Sequence, residues 1–165
     1  MPISLVWYSN VSYNSLKYTG LSYERTFDTR LNYVHQLVIG RKFNNDFTME
    51  ILPTVVHRNF VKTAKEENTV YAIAAAGRYK LNKRLSVNAE YAYVLENQLR
   101  SEFKNSLSIG VDIETGGHVF QLHLTNSPQM VDKAFIAETQ GDWGMGDIHF
   151  GFNISRVFTL KKPKY

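Results

Sequence analysis

The chain has 165 residues, the length of one domain, with 44% hydrophobic and 21% charged residues, a balance that excludes a disordered chain and permits a core or an apolar face. The net charge of +4 is partly local, with Lys161, Lys162 and Lys164 at the C-terminus. The other charges are mixed in sign and scattered, which excludes the one-sided basic surface with stacking aromatics of a nucleic-acid binder.

Cysteine is absent, so no disulfide holds the fold. No run approaches the roughly 18 apolar residues of a membrane helix. A mean hydropathy of −0.29 still fits a membrane barrel, because only every second residue of its strands meets lipid. The opening MPISLVWYSN has neither a basic n-region nor an apolar h-region. The expectation is that an export signal has been removed or that the chain begins inside a longer protein.

Taken in order, the chain alternates between strand patterns and turns. Pro2–Tyr13 reads as a strand with Ile3, Leu5, Trp7, Ser9 and Val11 on one face. Asn14–Asp28 is a polar, Tyr-rich loop. Thr29–Phe43 is a second strand, with Leu31, Tyr33, His35, Leu37 and Ile39 alternating with Asn32, Val34, Gln36 and Val38. Asn44-Asn45 turns it, since Asn tolerates the left-handed region. Asp46–Phe60 returns, and Pro53 within it predicts a bulge or a local edge because proline donates nothing to a ladder.

Val61–Asn68 is a charged loop, Thr69–Leu81 a strand, Asn82-Lys83 a short turn and Arg84–Glu96 a strand. After the polar loop Asn97–Lys104, the stretch NSLSIGVDIETGGHVFQLHLTNS (105–127) reads as a long hairpin turning at Gly116-Gly117, where positive φ angles are needed. Leu107, Ile109, Val111 and Ile113 share one face of its first arm, and Ser108, Gly110, Asp112 and Glu114 the other. Its arms of about ten residues suit a tilted bilayer-crossing strand. Pro128–Gly146 is the longest connection, and nothing in it or elsewhere reads as a helix. Asp147–Leu160 closes the chain, with Ile148, Phe150, Phe152, Ile154 and Phe158 opposite His149, Gly151, Asn153 and Ser155.

Short turns and long loops alternate strictly. All short turns therefore lie at one end of the sheet with both termini, and all long loops at the other. Outer-membrane barrels have this asymmetry and an even strand count. The predicted fold is all-β: an antiparallel up-and-down transmembrane β-barrel with about eight strands, one domain over residues 1–165. Phe43, Phe47, Tyr79, Leu81 and Phe158 are candidates for an aromatic girdle at the short-turn interface. The alternative is a soluble lipocalin-like barrel with the apolar face inside and a hydrophobic ligand bound there. The mix of small residues and opposite charges on the polar face favours a filled lumen.

The stretches LNYVHQLVIGRKFNNDF (31–47), PTVVHRNFV (53–61), GRYKLNKRLSVNAEYAYV (77–94), the hairpin above and GDIHFGFNISRVFTLKKPK (146–164) resemble the DUF5777 family of β-barrel proteins from Bacteroidetes. The resemblance covers nearly the whole chain. It implies an outer-membrane-type barrel with no catalytic residues to carry over. It also implies that members begin earlier, so that this chain corresponds to the C-terminal two-thirds of a roughly twelve-stranded barrel.

Glu50, Arg58, Arg78, Glu90, Asp112 and Glu114, joined by His123 and His149, are the candidate polar network of the lumen, since unpaired charges in a narrow barrel are costly. His123 and His149 with Asp147 or Glu90 have metal-ligand chemistry, but their spacing matches no ligand motif and hydrogen bonding is the preferred reading. His149, Asn153 and Ser155 hold the groups of a phospholipase, but six residues of strand separate His149 from Ser155 by about 20 Å, so they form no catalytic unit. Trp143, among Gly141, Gly144 and Gly146, reads either as an anchor for a partner or headgroup layer or as a residue covered by its own loop. The expected function is an outer-membrane structural or interaction component, or a small channel, without catalysis, cofactor or metal. Its expected partners are outer-membrane lipid and, through the long loops, other envelope proteins.

Overall fold

The computed structural model describes residues 3–16, 26–61, 66–95, 102–156 and 158. Among them are eight strands: β1 Ile3–Tyr13, β2 Leu31–Lys42, β3 Phe47–Arg58, β4 Thr69–Lys80, β5 Leu85–Val94, β6 Ser106–Thr115, β7 His118–Thr125 and β8 His149–Arg156. They form one antiparallel sheet in sequence order, curled into a half-barrel. β1 and β8 stand at its two edges and do not pair with each other among the described residues. The predicted loops Asn14–Asp28, Val61–Asn68 and Asn97–Lys104 lie partly outside the described residues, as do the predicted strand ends at Pro2, Glu96 and Leu160.

The turns show how side chains set the register. Asn44 Oδ1 accepts from the N–H groups of Asp46 and Phe47 at 2.9 and 2.8 Å. Asn82 Oδ1 does the same for Arg84 and Leu85 at 2.8 and 2.9 Å. Both turns are one residue wider on each side than the predicted Asn44-Asn45 and Asn82-Lys83, and an Asn side chain bonds across each of them. At Gly116-Gly117 only Gly116 has a positive φ, 59°, where two were expected.

Pro53 makes no bulge. The β2–β3 ladder breaks between Gln36↔Thr54 and Ile39↔Ile51 and resumes in the same register, while Pro53 stays paired with Ile73 on the other side. The missing N–H costs a stretch of ladder, and the neighbouring strand holds the chain straight.

The long connection holds the largest departure from expectation. It contains a short helix, α1, at Asp132–Ala137 and a 3-10 turn at Trp143–Met145. Ala134, Ile136 and Ala137 of α1 are buried. Ile136 and Ala137 join Val34, Leu52, Val56, Val70, Ala72, Ala74, Ala92 and Val94 from the inner faces of β2–β5 in one core. The alanines of β4 and β5 leave the room that lets a helix approach this closely. At this end of the sheet the inner face is apolar, because a folded segment covers it and water is excluded.

The predicted alternation of faces holds along every strand. The outer face is apolar and exposed: Leu5 is 64% exposed, Ile109 49% and Phe152 63%.

Candidate functional site

The inner face has two zones. Toward the short turns, Arg78 of β4 reaches across β5 to β6. Its Nε lies 3.2 Å from Asp112 Oδ2, its Nη2 donates to Glu114 Oε1 at 2.8 Å, and Nε also donates to Ser86 Oγ at 2.9 Å. Asp112 is 5% exposed and accepts further from Asn88 Nδ2 at 2.9 Å and Gln121 Nε2 at 3.2 Å. The register explains the meeting: Arg78 stands opposite Asn88, and Ser86 opposite Asp112, all on one face. A buried carboxylate needs its oxygens paired, and these donors pair them.

Toward the long loops, α1 plugs the concave side and side chains fasten it at both ends. Tyr8 Oη and Asn10 Nδ2 of β1 donate to Asp132 Oδ2 at 2.7 and 3.2 Å. Glu138, just past the helix, accepts from Lys133 Nζ at 2.9 Å and lies 3.6 Å from Arg58 Nη1. The loop is tied at its base by Asn126, which is 2% exposed. Its Nδ2 donates to Asn105 O and Gly141 O at 3.0 and 2.9 Å, and its Oδ1 accepts from Leu107 N at 2.8 Å. Trp143 Nε1 donates to Leu107 O at 3.1 Å, so its loop folds back onto β6 rather than presenting the indole outward.

Of the eight predicted network residues, Arg78, Asp112 and Glu114 come together. Arg58 belongs to the plug's latch, 4% exposed, with a partner in Glu138 that no spacing in the sequence pointed to. Glu50 and Glu90 are half-buried on the same inner face, and no hydrogen bond or ion pair engages the side chain of either among the described residues. His123 lies over Gly151 of β8, where any Cβ would meet its ring. His149 is exposed, and among the described residues no group of three or more His, Asp or Glu side chains is placed to hold a metal ion. The latch residues Tyr8, Asn10, Asp132 and Asn126 were missed. Tyr8 and Asn10 share a strand face with Ser4 and Ser12, and that polar alternation was the one signal available.

The outer face carries aromatic residues at both ends. Phe43, Phe47 and Tyr79 flank the short turns, with the Phe43 and Phe47 rings 5.5 Å apart. Tyr13, Tyr33, Tyr71, Tyr91 and Tyr93 mark the long-loop end, a second girdle that was not anticipated. From Tyr71 to Tyr79 along β4 is about 26 Å of strand, which at the usual strand tilt of about 35–45° covers most of the roughly 25 Å apolar band of membrane barrels. Polar groups on this face pair sideways: Ser9 Oγ lies 2.7 Å from His35 Nδ1, and His57 Nδ1 lies 2.8 Å from Thr69 Oγ1.

The profile of one family, described as a membrane-bound β-barrel domain (DUF5777), matches residues 1–158. The chain belongs to the DUF5777 family. Comparison with curated proteins and with solved structures gave no match. For a DUF5777 domain the exposed apolar outer face is the face that meets lipid. The soluble lipocalin-like alternative falls with it: its apolar face would be the concave one, yet the concave face here carries Arg78, Asp112 and Glu114 and the convex one is apolar.

Proposed function

We propose that this DUF5777 domain is a plugged β-barrel domain of the Gram-negative outer membrane, serving as a structural and interaction component rather than as an enzyme or an open pore. The seating of α1 carries this reading. Ile136 and Ala137 pack into a dry core with the inner faces of β2–β5, and Asp132 and Glu138 latch the segment to β1 and β3. A conduit through that core would have to expose apolar side chains to water. The outer-membrane location is supported by the two aromatic girdles and by short turns gathered at one end. The partners in this reading are outer-membrane lipid and envelope proteins that meet the long-loop end, with no nucleic acid.

A small channel gated by α1 is the second reading. It is favoured by a cavity of about 240 Å³ beside the plug, lined by Glu90, Asp112, His123 and Asp132. Single-channel recording in planar bilayers separates the two. The scaffold reading expects silence from the full-length protein and from Asp132→Ala. Steady cation-selective steps from Asp132→Ala alone would transfer the assignment to a gated channel. A heat-modifiability gel of outer-membrane fractions tests the location, with recovery in the detergent-free soluble fraction counting against it.

A further inference from the structure

The outward positions of the eight strands hold two charged side chains, Arg41 of β2 and Arg156 of β8, and no Lys, Asp or Glu. Both stand at the short-turn end. Arg41 shares a row with Met49 and Gly77, two residues short of the row of Phe47 and Tyr79, so it starts about 7 Å inside the aromatic girdle. Each arginine stands two residues before a phenylalanine, in RKF (41–43) and in RVF (156–158). Each also lies over that ring, with Cζ 5.2 Å from the Phe43 centroid and 4.7 Å from the Phe158 centroid. A long side chain that leaves the strand beneath the girdle and crosses a girdle ring carries its guanidinium to the headgroup layer.

On the inner face, Arg78 has Asp112 and Glu114 for partners. On the lipid side, Arg41 and Arg156 are exposed, and no carboxylate pairs with either among the described residues. A guanidinium offers five donors in a planar fork that matches a phosphate. The surroundings add charge of the same sign. Lys42, Lys80, Lys83 and Arg84 are exposed at the same rim, against Asp46 and Glu114, of which Glu114 is engaged by Arg78. Residues 1–2, 157 and 159–165 add no Asp or Glu. The long-loop end differs, because there Lys104 lies 3.7 Å from Asp142, and Lys133 and Arg58 lie 2.9 and 3.6 Å from Glu138.

We propose that Arg41 and Arg156 each bind the phosphate of an anionic glycerophospholipid, in the leaflet that surrounds the short-turn end. The phosphate of any phospholipid fits the fork. The surplus of cations at the rim selects a headgroup without an ammonium of its own, since that ammonium would enter a field of like charge. The two sites are separate: six strand spacings of about 4.8 Å put β8 roughly 29 Å from β2 along the sheet, so two lipids bind at once. The lipid-facing position of both arginines makes the ligand a membrane lipid rather than a soluble phosphate. Lipid binding requires the membrane-bound barrel alone, and neither the outer-membrane location nor the plug.

The test is native mass spectrometry of the full-length protein released from detergent micelles that hold equal amounts of phosphatidylglycerol and phosphatidylcholine. The parent protein should retain up to two phosphatidylglycerol molecules, and phosphatidylcholine at about a tenth of that level or less. Arg41→Gln and Arg156→Gln should each retain one phosphatidylglycerol, and the double variant none. Both side chains are exposed, so these variants keep the native heat-modifiable band. Lys104→Gln, at the long-loop end, should bind as the parent does. Equal retention of the two lipids by the parent protein would overturn the proposal without any variant. Unchanged retention in the double variant, an equal loss in Lys104→Gln, displacement of the lipid by free glycerol phosphate, or no retained lipid would each overturn it as well. None of these outcomes bears on conductance or on the membrane fraction, so the scaffold and location readings stand or fall by their own measurements.

Discussion

The two halves of the inner face are built on the same strands and solve the same problem in opposite ways. At the long-loop half, β3, β4 and β5 offer Val56, Val70, Ala72 and Val94, and a folded segment buries them. At the short-turn half the same strands offer Arg78, Ser86 and Asn88, and these are satisfied across the sheet by Asp112 and Glu114. One half excludes water with a helix; the other keeps polar groups and pairs them. The lesson is that the inside of a membrane barrel has no fixed polarity: each zone takes the polarity of what fills it.

The strongest test of that contrast is a charge placed in the dry half. Ile136 is 2% exposed, and Ile136→Asp would set a carboxylate in the apolar cluster that includes Val34, Val56 and Val70. A cost of about 4 kcal/mol or more is expected, enough to unseat α1. Limited proteolysis of the folded barrel in micelles should then cut within 128–146 while the strands stay protected. If the loop remained as resistant as in the parent protein, the long-loop half would not be the dry core described above.

Asn126→Ala attacks the base of the same segment. It strips partners from Leu107 N, Asn105 O and Gly141 O at a buried site. About 3 kcal/mol is expected from these groups left unpaired, read as a lower urea midpoint for folding into lipid vesicles. The loss should exceed that of any single substitution in the short-turn network, and the reverse order would invert the comparison.

How far this contrast is legible in the sequence differs by element. The strands and their faces are readable because alternation with a period of two repeats over eight to twelve residues in each, and a slip of one residue would put Arg78 into lipid. The helix α1 is not, since six residues complete fewer than two turns and leave no periodicity to detect. Its seat is equally silent: Ala72, Ala74 and Ala92 look like small lumen residues until something is packed on them. The pair Arg58–Glu138 joins residues whose contact depends on the closure of the whole curl, so Arg58 was recognisable as an inward charge and its partner was not. Asp112 and Arg78 were readable as inward charges too, but their meeting follows from register alone.

Arg78→Ala tests the wet half. It leaves Asp112, 5% exposed, with Asn88 and Gln121 but no cation. Because the Arg78 side chain is itself 37% exposed, water compensates in part, and about 2 kcal/mol is expected rather than the full cost of breaking a buried pair. Asp112→Asn added to Arg78→Ala should recover most of the loss, since an amide needs no counter-charge. A double variant as unstable as the sum of its singles would show that Arg78 and Asp112 do not act as a pair.

The smallest effect is expected where β7 meets β8, beyond both zones. Gly151 stands opposite His123, and its missing Cβ is the space the imidazole occupies. Gly151→Ala forces that ring to turn away, against a neighbour that is a side chain and therefore able to yield, so about 1 kcal/mol is expected, the lower end of overpacking costs. His123→Ala in the same chain removes the obstacle, and an alanine in a strand then has the better backbone entropy. The double variant should match or exceed the parent in urea midpoint. If Gly151→Ala alone proved as damaging as Ile136→Asp, His123 would be fixed by contacts as firm as those of the plug, and the packed half of the inner face would have to be extended to β8.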